Sequence, residues 1–371
     1  MSELRQDATT KQWVIIAPER AKRPSQVPKK KSAVELANWD ASCPFCPHNE
    51  AQTPHEVFRI PASSEKTAWE VRVVPNRFAA LTPGGDVTRQ ENGPFSRKMS
   101  GFGIHEVIIE TPSHNTPISL LPYKHIKKIL TAYQERYNVI KKNRHIRFIH
   151  IFKNHGWAAG TSLVHPHSQL VATPIISPYY HQKFDAAHDY FTDMGRCLYC
   201  DLIQWNLDNA RERVVADTRE FLVIHPYASR VPYETWILPK RHYSSFGLFP
   251  RTHFTELAKV LKDILFCLYE MLDNPAFNLI IDSTNAKSEE DPYYHWHVRI
   301  VPRLSTIAGF ELGSGIYIST TRPEETAKAT KAAIQSLRKE EKISIEPGTW
   351  TGFPSFTPYQ ADGIKSPQLP K

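Results

Sequence analysis

Long hydrophobic runs are missing from this chain of 371 residues. Without a stretch of about eighteen apolar residues no transmembrane helix is expected, and the polar N-terminus has no signal-peptide core. Cysteine is scarce: there are five, four of them in two C-x-x-C pairs, Cys43/Cys46 and Cys197/Cys200. That count excludes a disulfide framework and points to metal or redox chemistry, so a cytoplasmic location is expected. Dense charge of one sign is also rare. The net charge of +8 is spread along the chain, and the one basic run, Lys29-Lys30-Lys31, follows prolines and reads as a solvated loop. A nucleic-acid binder would interleave basic and exposed aromatic residues on one face. Here the unusual features gather in one loop and one short segment, so neither nucleic acid nor membrane is expected as a partner. The diffuse positive charge suits an anionic substrate.

What is present centres on Gly160-Thr161-Ser162-Leu163-Val164-His165-Pro166-His167-Ser168-Gln169-Leu170-Val171. In an extended segment alternate side chains share a face, so His165, His167 and Gln169 point the same way. Residues two apart then lie roughly 6.5–7 Å apart, too far for both imidazoles to grip one metal without distortion. Two histidines with different jobs is the reading this spacing suggests; a strand exposing two surface histidines is the plain alternative. Near the N-terminus, Arg20 and Arg23 border a basic, proline-bounded loop and could pair with phosphate oxygens through their planar forks.

The chain repeats itself. In the first half, Cys43-Pro44-Phe45-Cys46 is followed by expected strands over 69–74 and 103–110, then His114. An amphipathic helix over 122–142 carries Ile126, Ile129, Leu130, Tyr133, Tyr137 and Ile140 on one stripe, and a strand over 147–152 leads to the central segment. In the second half, Cys197-Leu198-Tyr199-Cys200 precedes strands over 221–225 and 234–239, His242, a helix over 250–272, a strand over 278–281 and His295-Trp296-His297. His114-x7-Pro122-x2-His125 is matched by His242-x7-Pro250-x2-His253, an agreement that an internal duplication explains. The expected division is 1–193, 194–343 and a Pro- and aromatic-rich tail, 344–371. A last helix is expected over 323–340.

The repeat pairs up metal ligands. Each half supplies C-x-x-C, a histidine before the helix, and the first histidine of H-x-H: Cys43, Cys46, His114 and His165, then Cys197, Cys200, His242 and His295. Such Cys₂His₂ sets suit Zn²⁺, and four protein ligands leave no position open for activating water. A redox C-x-x-C pair is the competing reading; it lacks thioredoxin-like surroundings and gives no reason for two copies. Where the halves differ, function is expected. Asn154-His155-Gly156-Trp157-Ala158-Ala159-Gly160-Thr161-Ser162 offers backbone amides and a hydroxyl for phosphate oxygens, whereas the second-half loop holds Glu289-Glu290-Asp291. Ser168-Gln169 is replaced by Val298-Arg299. With His165 taken by metal, His167 is free to act as a neutral nucleophile toward phosphorus, with Gln169 and the loop amides stabilising charge on the phosphate oxygens.

These motifs resemble the galactose-1-phosphate uridylyltransferase family, the double-domain branch of the histidine-triad superfamily. The resemblance rests on Trp13 to Pro18, Cys43-Pro44-Phe45-Cys46, Val73-Val74-Pro75-Asn76, Glu110 to His114, Asn154-x-Gly156, Gly160-x-Ser162-x-x-His165-Pro166-His167-Ser168-Gln169 and Gly309-Phe310-Glu311. It implies an α+β fold of two tandem histidine-triad-like repeats, each a mainly antiparallel sheet with a long helix, in a homodimer. It implies ping-pong nucleotidyl transfer in which His167 attacks the α-phosphorus of UDP-glucose or a related nucleotide sugar and a hexose 1-phosphate, galactose 1-phosphate foremost, accepts the nucleotidyl group. Asn76, Asn154, Gly160, Ser162 and Gln169 would contact the nucleotide and its phosphates, and Glu311 the sugar, across the dimer interface. Two departures stand out. Some members bind the second metal through one Glu and three His; Cys197 and Cys200 take that place here, so two zincs per chain are expected. Galactose-handling members often carry Arg-Lys-Phe before the Gly-(Tyr/Phe)-Glu motif, where this chain has Leu304-Ser305-Thr306. The following Leu312 to Ile318 resembles relatives that act on ADP-glucose, which makes ADP-glucose phosphorolysis through the same His167 the alternative.

Overall fold

Short β-branched and aromatic segments with nearly continuous burial, such as 71–74 and 221–224, supply the framework. The structure, a computed structural model, describes residues 1–22, 37–62 and 68–345. The chain opens with β1 (Glu3–Gln6) and β2 (Trp13–Ile16), followed by β3 (Phe58–Pro61), β4 (Trp69–Pro75) and a small exposed hairpin of β5 (Gln90–Asn92) and β6 (Ser96–Lys98). Then come β7 (Ile104–Ile109), helix α1 (Tyr123–Ile140), β8 (Phe148–His155) and β9 (His167–Thr173). Helices α2 (Pro178–Met194) and α3 (Leu198–Asn209) lead to β10 (Val214–Asp217), β11 (Phe221–Ile224) and β12 (Thr235–Pro239). Helix α4 (Phe254–Leu272), β13 (Phe277–Asp282), β14 (His297–Pro302), helix α5 (Gly309–Ser314), β15 (Tyr317–Ser319) and helix α6 (Pro323–Lys339) complete the order.

Ten strands form one antiparallel sheet in the order β10-β11-β12-β14-β13-β8-β9-β7-β4-β3. Counted inward from either edge the topology is the same, β3-β4-β7-β9-β8 against β10-β11-β12-β14-β13. The halves meet where β8 pairs with β13, Phe277 opposite His155 and Ile281 opposite Ile151. Each half thereby covers the strand edge that the other would leave open. The fold is α+β with a duplicated, antiparallel plan.

One face of this sheet is covered by α1 and α4. Their stripes, Ile126, Ile129, Tyr133 and Tyr137 on one and Leu257, Leu261, Ile264 and Leu268 on the other, pack over Val71, Ile108, Ile149, Val223, Ile237 and Ile281. Gln134 joins the two halves there: buried on α1, it donates to the carbonyls of Phe246 (3.0 Å) and Phe249 (2.7 Å) and accepts from Arg251 (2.8 Å). The other face differs between halves. Over the second half, Tyr180 and Phe184 of α2 and Leu198, Tyr199 and Ile203 of α3 pack on Leu222, Ile224, Trp236 and Leu238. Over the first half, among the described residues, a small cluster of Cys43, Phe45 and Cys46 on Trp69, Val74, Val107 and Ile109 takes that place. One half is roofed by helices and the other by the loop of Cys43 to Cys46.

The expected helices and strands over 69–74, 103–110, 122–142, 147–152, 221–225, 234–239, 250–272, 278–281 and 323–340 each correspond to an element shifted by a few residues at most. The central segment differs: the strand begins at His167, and His165 lies in the bend before it. Helices α2 and α3 were not read from the sequence, although Ser177 caps Tyr180, Pro178 follows it, and Gly195 ends α2 at φ 68°. Arg23, Lys29 to Lys31 and the tail beyond residue 345 lie outside the described residues. Ser344 and Ile345 are tied to the Asp263 carboxylate of α4. The N-terminal hairpin joins the second half, β2 running parallel to β15 and Arg5 pairing with Glu324. No helix among the described residues is long and apolar enough to cross a membrane. Gln134→Leu leaves two buried carbonyls without a donor, so it should lower stability by about 1–3 kcal/mol; an unchanged urea midpoint would contradict this bridging role.

Candidate active site and metal centres

Cys43 and Cys46 lie in a turn-rich loop whose first thiol packs near the bend that presents His165. The four side chains Cys43, Cys46, His114 and His165 converge, their ligand atoms all within 4.8 Å of one another. Cys43 Sγ lies 3.7 Å and Cys46 Sγ 3.6 Å from His165 Nδ1, and Cys46 Sγ 3.4 Å from His114 Nδ1. Tetrahedral zinc with its usual bond lengths would hold sulfur and nitrogen about 3.5 Å apart. The proton positions fit as well. His165 Nε2–H donates to the Thr111 carbonyl (2.8 Å), which leaves the Nδ1 lone pair facing the sulfurs. Burial pushes the Cys43 thiol up to about 11, so a bare Cys43 thiolate would be costly there and a cation is what such a set accommodates. Cys197, Cys200, His242 and His295 converge in the same way, with Cys200 Sγ 3.4 Å from His242 Nδ1 and 3.6 Å from His295 Nδ1. His295 Nε2–H donates to the Pro239 carbonyl (2.8 Å).

His167 begins β9 beside the first cluster, and the Phe45 ring stands edge-on to both imidazoles, 6.0 Å from His165 and 5.4 Å from His167. Its Nδ1 lies 2.8 Å from the His165 carbonyl, which can only accept. Nδ1 therefore carries the proton, and Nε2 keeps its lone pair. Burial and, after it, the nearby Lys153 charge lower the tendency of this ring to protonate. A neutral, oriented imidazole of this kind can attack phosphorus.

Around it the sheet face collects amides. Ala80 N–H donates to His105 Nδ1 (3.2 Å), so His105 Nε2 carries the proton and donates to Gln169 Oε1 (2.7 Å). That bond fixes the orientation of the Gln169 amide and keeps its NH₂ group for another acceptor. Asn76 sits at the same histidine, its Nδ2 3.1 Å from His105 Nε2. Asn154 at the end of β8 is held from the other half: Asn278 Nδ2 donates to Asn154 Oδ1 (2.9 Å) and to the Ala159 carbonyl (2.9 Å). The loop needs its glycines. Gly156 has φ 78° with Ala276 Cβ 2.8 Å from where a Cβ would stand, and Gly160 has φ 89°. His105 and Asn278 were missed in the sequence; His105 shares strand parity with Val107 and Ile109, opposite Gln169 and His167, and that was the signal available.

Residues 1–177 match the family model described as galactose-1-phosphate uridyl transferase, N-terminal domain, and residues 183–343 match its C-terminal domain. This chain belongs to the galactose-1-phosphate uridylyltransferase family. It is similar to an ADP-glucose phosphorylase of Arabidopsis thaliana, 37% identical over 333 residues, covering 89% of this chain and 92% of the relative. It is also similar to a galactose-1-phosphate uridylyltransferase of Thermotoga maritima, 30% identical over 338 residues, covering 88% and 97%. A crystal structure of an Arabidopsis thaliana ADP-glucose phosphorylase with bound ADP-glucose superposes with TM-score 0.76 at 34% identity, covering 89% of this chain and 98% of that one. The chain is thus an enzyme of a nucleotidyltransferase family.

Other residues singled out from the sequence of this uridylyltransferase-family chain are placed less centrally. Ser162 is exposed in the bend before His165. Arg20 is exposed on the turn Pro18–Lys22 after β2, and no contact among the described residues ties it to the Asn154–Ser162 loop. Glu311 lies on α5 and accepts from the Ala308 backbone N–H (3.1 Å), capping its own helix. Exposed Phe310 and Leu312 flank it.

This chain's second half keeps the Cys-His set but encloses its H-x-H segment differently, and the cause differs from the one its acidic loop suggests. Glu289 and Asp291 are engaged structurally, with Lys141 and Ser245 and with Tyr293. What closes this half is α2. Its Lys183 lies 3.3 Å from Asp282, its Tyr180 donates to Asp282 (2.5 Å), and Arg299, standing where Gln169 stands in the first half, also pairs with Asp282. His297 is completely buried, stacked on Trp236, and burial with the Lys183 charge pushes it down to about 4. Burial alone would raise the Asp282 carboxyl, but Arg299 and Lys183 hold it well below the ordinary carboxylate range. Asp282→Asn removes the one anion between two buried cations and should cost about 3–5 kcal/mol of stability, readable in urea unfolding; a loss within measurement error would mean the cations find another partner.

Proposed function

We propose that this chain transfers a nucleotidyl group by a ping-pong route through His167, with ADP-glucose as donor and inorganic phosphate as acceptor. The observation that carries the route is the His167 Nδ1–His165 carbonyl bond, which reserves Nε2 for phosphorus. In the first step Nε2 forms a bond to the α-phosphorus, the bond to the bridging oxygen breaks, and glucose 1-phosphate leaves with the electron pair. In the second, a phosphate oxygen attacks the same phosphorus, the P–N bond breaks, and ADP forms with the electron pair returned to Nε2. Gln169, oriented by His105, and the amides of the Asn154–Ser162 loop meet the charge on the phosphoryl oxygens. Asn76, Asn154, Gly160 and Ser162 are assigned to the nucleotide and its phosphates, and Arg20 and Arg23 to phosphate. Glu311 is assigned to the sugar of a partner subunit in a homodimer, a role that suits its exposed apolar neighbours Phe310 and Leu312.

The sequence motifs put UDP-glucose first. Greater identity and structural similarity to the ADP-glucose phosphorylase support the adenine donor instead. A second reading, UDP-glucose–galactose-1-phosphate uridylyltransfer through the same histidine, is supported by the family match and the Thermotoga maritima relative. Both Cys₂His₂ sets are read as zinc sites. Zinc there would be bound by four protein ligands and serve to hold each H-x-H segment in place.

Incubation with ADP-glucose and no acceptor, quenched at alkaline pH and weighed intact, should show one AMP adduct that is missing in His167→Ala; a UMP adduct from UDP-glucose alone would select the second reading. Metal analysis should find about two zincs per chain, and His165→Ala should lose about one of them together with stability. A variant that stays fully metallated would remove His165 from the ligand set.

A further inference from the structure

Directly behind the His167 strand, on the face covered by α1, lies a buried polar cluster that the transfer steps do not use. Lys153 Nζ donates to Glu110 Oε2 (2.7 Å) and to the main-chain carbonyl of His167 (3.1 Å). Ser168 Oγ donates to the other carboxylate oxygen, and Tyr133 OH reaches that same oxygen at 3.3 Å. Glu110 is completely buried and Lys153 is 2% exposed. Burial disfavours the Glu110 anion, but the Lys153 charge together with the hydrogen bonds from Lys153 and Ser168 outweighs it.

The second half is a built-in control for this cluster. Ser168 faces Ile108 across the β7–β9 ladder, and Val298 faces Ile237 at the matching place. Val298 also lies opposite Ile281, which holds the position of Lys153. On the helix, the Pro122/Pro250 register puts Leu261 where Tyr133 stands. Glu110 has no counterpart at all. Thr111 and Pro239 each accept from the cluster-side histidine, yet Ile109 and Glu110 separate Thr111 from Ile108 while Leu238 alone separates Pro239 from Ile237. The first half therefore carries one extra residue, and that residue is the buried carboxylate.

With Leu261, Ile281 and Val298 in those places the second half still builds the same strand order and gathers its Cys-His set. It also repeats the histidine lock, His297 Nδ1 to the His295 carbonyl at 3.0 Å. The polar cluster is needed for none of these, and a buried ion pair is seldom more stabilising than apolar packing of the same volume. What it adds is a charged donor on the carbonyl of His167 itself. We propose that Lys153, held by Glu110, which Ser168 and Tyr133 hold in turn, is a positioning residue that fixes the His167 backbone while Nε2 exchanges one phosphate ligand for another. This rests on the reading of His167 as the nucleophile. Small misplacements of a reacting group cost about 10²-fold in rate, and the clamp acts on the residue that carries the reacting nitrogen.

The test grafts the second half's Leu261, Ile281 and Val298 onto the first as Tyr133→Leu, Lys153→Ile and Ser168→Val, and adds Glu110→Leu to remove the carboxylate that has no counterpart, all in one variant. It should fold, retain the wild-type metal content and keep KM for the nucleotide sugar within about twofold, while kcat and single-turnover adduct formation fall about 10²-fold. An undiminished kcat in the folded, metal-loaded variant overturns the proposal, and so does a loss carried by KM alone. If the fourfold variant does not fold, Lys153→Met with Glu110→Gln keeps the volume, removes the carbonyl clamp and faces the same two outcomes. Wild type run in parallel separates the two claims. No nucleotidyl adduct in wild type overturns the nucleophile reading and this one with it, whereas a wild-type adduct with an equally fast variant overturns the positioning role alone.

Discussion

Two carbonyl hydrogen bonds in series set the chemistry of the first half. The Thr111 carbonyl takes the Nε2 proton of His165, which turns the Nδ1 lone pair of His165 toward Cys43 and Cys46. The His165 carbonyl then takes the Nδ1 proton of His167, which frees Nε2. The two histidines of one H-x-H segment thus keep opposite nitrogens unprotonated, Nδ1 of His165 toward the cysteines and Nε2 of His167 away from its own backbone. Backbone carbonyls only accept, so neither ring can exchange its tautomer without losing a bond in a buried place.

The duplicated sheet carries the H-x-H segment twice in different surroundings, with His167 7% exposed and His297 fully buried. Both halves build the same five-strand order, the same helix on one face and the same ligand set. They differ in the roof. Helix α2 brings Lys183 and Tyr180 onto Asp282 and Arg299 and encloses His297, the counterpart of His167, in a charged, sealed core. Among the described residues no helix takes that place over the first half, and Asn278 reaches across the β8–β13 seam to hold Asn154 and the Gly156–Gly160 loop. The second half thus contributes to the first site a scaffold and one amide, and no reacting group.

Much of this was legible in the sequence because it depends on spacing. The C-x-x-C pairs, the histidines before each helix and the H-x-H segments recur at nearly constant separation, so both ligand sets could be paired before any coordinates, and each set converges. The long helices announced themselves by their 3.6-residue stripes. What could not be read depends on pairing between distant strands. His105 orients Gln169, and Asn278 orients Asn154, only because of a register that no local pattern encodes. The single-residue insertion at Glu110 is likewise visible only once Ser168 and Val298 are seen opposite Ile108 and Ile237. The acidic run Glu289-Glu290-Asp291 suggested repulsion of phosphate, whereas Glu289 and Asp291 make structural contacts and α2 does the closing.

The account's central claim is that a covalent bond to His167 forms before any acceptor binds. The most direct measurement is rapid-quench release of glucose 1-phosphate from ADP-glucose with acceptor left out, read against the concentration of metal-loaded chain. A burst of about one glucose 1-phosphate per chain, followed by no further release until phosphate is added, is the predicted result. Release that begins only when phosphate is present would mean direct transfer between the two substrates and would contradict the account.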